Sequence, residues 1–66
     1  MENQVSIAVH ESKDSEKVVR FLNLNVESLS EFCSVNYAKS IIQAQENGSV
    51  HGVYFTASGR IRANFI

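Results

Sequence analysis

From Val50 to the end of the chain, apolar and polar residues alternate. Val53, Phe55, Ile61, Ala63 and Phe65 are apolar, and Tyr54, Thr56, Arg60, Arg62 and Asn64 fall between them. A period of two on both sides of Ser58-Gly59 predicts two half-buried strands joined as a hairpin. The pattern also selects the register. A two-residue Ser58-Gly59 loop would set Phe55 opposite Arg62, whereas a three-residue Ala57-Ser58-Gly59 loop sets Phe55 opposite Ile61 and Tyr54 opposite Arg62. A slip of one residue turns every side chain to the other face, so the pairing that keeps one face apolar is the predicted one. Gly59 then takes the left-handed position that such loops require.

Upstream, Gln4 to His10 sets Val5, Ile7 and Val9 against Ser6, Ala8 and His10, which predicts a first strand. The run Glu11 to Lys17 mixes acids and lysines and reads as a solvated turn. Val18 to Leu24 (VVRFLNL) is apolar on nearly both sides: Val18, Leu22 and Leu24 share one face with Arg20, and Val19 and Phe21 share the other with Asn23. That predicts a central strand covered on both faces.

A helix is predicted over residues 28–47. Ser28-Leu29-Ser30-Glu31 matches a capping box at its start, and Asn47-Gly48 is a stop signal at its end. At 100° per residue, Leu29, Cys33, Tyr37, Ile41 and Ala44 gather on one stripe, with Val35, Ala38 and Ile42 on a second stripe almost opposite. Three readings of the second stripe stand side by side. The helix breaks near Ser34-Val35-Asn36; or it is continuous and the stripe meets a second copy or a partner; or these are scattered surface apolar residues. The expected fold is α+β: one domain over residues 1–66, with strands at about 4–10 and 17–24, a helix at about 28–47 and the closing hairpin at about 50–66. Its architecture is a two-layer β-β-α-β-β arrangement, a four-stranded, mainly antiparallel sheet with one helix packed on one face. Free strand edges in such a sheet invite a homodimer.

Composition narrows the function. A chain of 66 residues with a formal net charge of −1 is near the size where one core is marginal, and its charge argues against nucleic-acid binding by bulk charge alone. All the acids, Glu2, Glu11, Asp14, Glu16, Glu27, Glu31 and Glu46, precede the closing hairpin, so charge is unevenly placed. No run is apolar and long enough for a membrane span, and the polar, acidic start does not read as a signal peptide. A lone Cys33 excludes an internal disulfide and fits a cytoplasmic location. Cys33 lies on the main stripe and reads as a small core residue. His10, Cys33 and His51 lack metal-ligand spacing, and no phosphate-cradling glycine loop exists, so neither metal nor cofactor is expected. No catalytic constellation is marked, and the chain does not read as an enzyme.

The hairpin HGVYFTASGRIRANF resembles the aromatic-turn-basic hairpin of integrase arm-binding domains, and SLSEFCSVNYAKSIIQAQENGSVHG with that hairpin resembles the helix-turn-helix and wing of excisionase-like proteins. Both resemblances imply DNA binding. The whole β-β-α-β-β layout is similar to small phage-encoded inhibitors, including anti-CRISPR proteins, which implies a protein partner within a nucleic-acid-handling complex such as CRISPR-Cas.

The expected function is therefore a non-enzymatic protein-binding module, an inhibitor or adaptor. Tyr54, Thr56, Arg60, Arg62 and Asn64 form its partner-binding face, because guanidiniums beside an aromatic ring recognise carboxylate or phosphate. The alternatives are a small DNA- or RNA-binding protein using the same hairpin, and a self-associating structural domain using the Val35, Ala38 and Ile42 stripe or a strand edge.

Overall fold

A computed structural model describes residues 4–66; Glu2, counted among the acids above, lies outside the described residues. The elements run β1 (Val5–His10), β2 (Val18–Leu24), α1 (Val26–Leu29), α2 (Val35–Asn47), β3 (Val50–Phe55) and β4 (Ile61–Phe65). The four strands form one mixed sheet in the order β2-β1-β3-β4. The two hairpins are antiparallel, and they meet through the parallel pair β1–β3, in register at Val9 and Val53. The α+β fold with a single main helix is thus the one the pattern predicts.

The closing hairpin has the predicted register, with Phe55 opposite Ile61 and Tyr54 opposite Arg62. The Thr56 amide donates to the Arg60 carbonyl (2.8 Å), closing a three-residue loop in which Gly59 is left-handed at φ 82°. The α2 stop is also the predicted one: Gly48 is left-handed (φ 72°), and the Ser49 amide donates back to Ala44 O at 2.7 Å.

The helical segment differs from the expected continuous helix. Ser34 is extended (ψ 156°), and its hydroxyl accepts from the Tyr37 amide, so it ends the preceding turn and caps α2. The predicted box at Ser28 is not the start either. Asn25 is the N-cap of α1, its Oδ1 accepting from the Ser28 amide at 2.8 Å. Asn at this position is as good an acceptor as Ser, and it lies where β2 releases the chain. Between the helices, Leu29 O accepts from the Phe32 and Cys33 amides and from the Cys33 thiol.

The break reconciles the two stripes. Leu29, Cys33, Ile41 and Ala44 are buried as expected, with Tyr37 half-buried, but Ala38 of the second stripe is fully buried and Ile42 packs against the core. Only Val35 of that stripe is well exposed, at 52%. Turning the axis at Ser34 lets α2 present both Ala38 and Ile41 to the sheet, so two of the three stripe residues pack inward.

Sheet and helices enclose Ile7, Val9, Leu24, Leu29, Cys33, Ala38, Ile41, Val53 and Ile61. The six largest of the fully buried side chains are Ile7, Leu29, Ile41, Ile61, Val9 and Val53, each contributing on the order of 1.5–3 kcal/mol. The expectation for β2 is overturned. It is an edge strand, and Val18, Val19 and Phe21 are 40%, 50% and 66% exposed. Strand order is set by which hairpin β1 meets on its second side, and β3 takes that place.

Candidate functional site

Tyr54 and Arg62, directly paired, share the sheet face away from the helices. Arg62 does not stay there. Its guanidinium lies 5.3 Å from the ring centre of Tyr37 on α2, and the Tyr37 hydroxyl accepts from the Ala63 amide at 3.0 Å. Tyr37 is in turn held edge-to-face against Phe65, with centroids 5.9 Å apart. One ring therefore braces the β4 edge and supports a cation.

A second cation sits on a ring nearby. Arg20 of β2 places its guanidinium 5.6 Å from the centre of Phe55, which packs edge-to-face on Phe32 at 5.7 Å. Phe55 is the cross-strand partner of Ile61, whose chain neighbours are Arg60 and Arg62. Arg20 is thus brought toward the strand pair that carries the other two arginines. Such stacking is worth about 0.5–1 kcal/mol at exposed sites, enough to bias a flexible side chain toward one direction.

Like Lys13 and Lys39, these guanidiniums carry charge that no acid offsets among the described residues. Among the described residues the ion pair present is Lys17–Glu11, an exposed contact of 3.8 Å, and no carboxylate is within ion-pair distance of Arg20, Arg60 or Arg62. The arginines are exposed. Cys33 lies beneath this end of the hairpin. Burial pushes its thiol above the ordinary value of 9.0, with Arg60 and Arg62 pulling weakly the other way. The thiol stays protonated and behaves as a core group.

Of the five residues expected on the binding face, Tyr54, Arg60 and Arg62 are available to a ligand. Thr56 and Asn64 are engaged within the fold. Thr56 Oγ1 accepts from the Arg60 amide (3.1 Å) and bonds the Ser58 hydroxyl (2.9 Å), while Asn64 Nδ2 donates to Lys13 O (3.1 Å), pinning the 11–17 loop. Arg20 is the residue the sequence reading left out. Its signal is a single charge inside an apolar strand, and only the folded order of strands connects it with the hairpin.

A cleft of about 400 Å³ opens where that loop leans over β3, lined by His10, Lys13, Asp14, Ser15, Glu16, His51 and Asn64. His10 lies between the carbonyl oxygens of Ser15 (3.1 Å from Nδ1) and His51 (3.2 Å from Nε2), so its ring bridges the loop and β3. Among the described residues no three His, Cys, Asp or Glu side chains are placed to hold a metal ion, and no helix is long and apolar enough to cross a membrane. The chain matches no known protein family, no curated protein and no solved structure.

Proposed function

We propose that this chain is a non-enzymatic binding module, a small inhibitor or adaptor, that docks on acidic groups of a partner protein through Arg20, Arg60 and Arg62. The observation that carries the reading is that these guanidiniums have no acidic partner among the described residues, two of them being held on aromatic rings. An unpaired arginine held in place offers a bidentate fork to a carboxylate, and the ring support lowers the ordering cost of about 0.5–1.5 kcal/mol per side chain. Tyr and Arg are also the residues that dominate binding energy at protein interfaces, and Tyr54 stands beside Arg62.

A protein partner is favoured over nucleic acid by the formal net charge of −1, since three arginines on a near-neutral molecule neutralise few phosphates. The partner class we propose, a protein of a nucleic-acid-handling complex such as CRISPR-Cas, is the one that the resemblance of the β-β-α-β-β layout to phage-encoded inhibitors implies; on it, basic groups would cover a site that meets acidic groups. The test is capture from nuclease-treated lysate of the native host. The tagged chain should retain a partner that Arg60→Ala/Arg62→Ala loses. Equal capture by both would refute the reading, and so would a shift of random duplex DNA by the chain alone at low salt.

A further inference from the structure

The sheet has two edges, and they are treated differently. On β4 the Ile61 amide donates to Phe32 O (3.2 Å) and the Ala63 amide to the Tyr37 hydroxyl (3.0 Å). Both acceptors come from the helical layer, so that edge is closed by the fold itself. On β2 none of the residues Val18 to Leu24 donates or accepts a hydrogen bond outside the sheet ladder, among the described residues. Every second residue of an edge strand points its N–H and C=O away from its only neighbour, a ready template for another strand.

The features that normally protect an edge are missing from β2. It spans seven residues, VVRFLNL, with no proline and one charge, Arg20, whose guanidinium is drawn across to Phe55. Its register with β1 shifts only at the far end, between Val9 and His10, so from Arg20 to Leu24 it runs regularly. Beside the open backbone stand Val18, Val19 and Phe21, 40–66% exposed. In a chain this small such exposed apolar groups are a substantial cost left uncovered.

We propose that β2 is a strand-addition site whose occupant is the β2 of a second copy, joined antiparallel to make one continuous eight-stranded sheet. The strand's own sequence argues for a copy. Full overlap of the seven residues puts the two-fold axis at Phe21. Phe21 then faces its symmetry mate, Arg20 faces Leu22 of the second copy, and Val18 faces Leu24. No like charges meet, and two-fold antiparallel pairing keeps each sheet face on its own side. The equivalent pairing through β4 would need its bonded amides released. Dimerisation would leave Arg60 and Arg62, on the far side of the sheet order, outside the new ladder. Paired seven-residue edges make an interface at the small end of the range, so a reversible dimer is expected rather than a permanent one.

The experiment is sedimentation velocity of the full chain over a wide concentration series, with amide hydrogen exchange at the two ends of that series. The expected result is a concentration-dependent dimer in which alternate amides of Val18–Leu24 gain protection while those of β4 are unchanged. Phe21→Lys, at a position already two-thirds exposed, should leave the monomer folded and shift dissociation upward at least tenfold, whereas Val35→Lys should leave it unaltered. A chain that stays monomeric throughout overturns the proposal. So does a dimer that survives Phe21→Lys, or one whose β2 amides exchange at the monomer rate. None of these outcomes touches Arg60 and Arg62 on the distant hairpin, which Arg60→Ala/Arg62→Ala tests separately.

Discussion

Gly52→Ala is the substitution whose effect the structure determines most closely. Gly52 lies in β3 beside the parallel contact with β1, and a β-carbon there would stand 2.6 Å from the Ala8 carbonyl oxygen and 2.6 Å from both Cδ2 and Nε2 of His10. The imidazole could swing aside, but the Ala8 oxygen is backbone of the neighbouring strand, so β1 and β3 must part. Overpacking of this kind costs about 1–3 kcal/mol. Displacing His10, whose neutral ring has one N–H to give to Ser15 O or His51 O, adds the loss of one hydrogen bond worth about 0.5–1.5 kcal/mol. The expected total is about 2–4 kcal/mol, against a stability of roughly 3–10 kcal/mol for a domain of this length. At about 4–8 °C per kcal/mol, thermal unfolding followed by circular dichroism should show Tm lowered by about 10 °C or more. Combining Gly52→Ala with His10→Ala should cost less than the sum of the two, because the ring no longer competes for the space. A Gly52→Ala variant melting within about 3 °C of the parent would refute the reasoning.

Three other perturbations test separate parts of the fold. Asn25→Ala should lower stability by about 1 kcal/mol in urea denaturation, and more than Ser28→Ala, because Asn25 supplies the capping oxygen. Tyr37→Phe should cost about 0.5–1.5 kcal/mol by removing the acceptor for the Ala63 amide, while the ring left in place still supports Arg62 and partner capture is retained. Burial raises the Cys33 thiol above 9.0, so the unfolded chain loses its thiol proton first as pH rises. Its contribution to stability is full below pH 9 and declines above it, and Cys33→Ala should flatten that alkaline part of the urea-midpoint profile.

The parts of the fold legible in the sequence are those decided locally. The register of the closing hairpin follows from the alternation around Ser58-Gly59, and the end of α2 from Asn47-Gly48, because turn geometry and periodicity are short-range properties. Strand order is not. VVRFLNL carries the apolar content of a buried strand, yet β1 uses its second side for β3, which leaves β2 at the edge. The break at Ser34 was one of three readings of the second stripe, and residue spacing alone could not choose among them, since Ala38 and Ile42 are apolar in each. At the site, Arg60, Arg62 and Tyr54 were visible as an acid-free face of one hairpin. The engagement of Thr56 and Asn64 was not, because their partners are a turn hydroxyl and a carbonyl in a distant loop. Arg20 was hidden for the same reason: its stacking on Phe55 exists only once β1 has brought the two hairpins together.

The central claim is that Arg20, Arg60 and Arg62 each engage acidic groups of a protein. The most direct measurement is the affinity of the captured partner for the Arg20→Ala, Arg60→Ala and Arg62→Ala variants, each confirmed as folded, with Phe21→Lys alongside. A hydrogen bond to a charged group is worth about 1.5–3 kcal/mol, so each arginine variant should weaken binding about tenfold or more. Phe21→Lys, which removes no arginine, should keep each subunit's affinity. Arginine variants binding within about threefold of the parent would contradict the account.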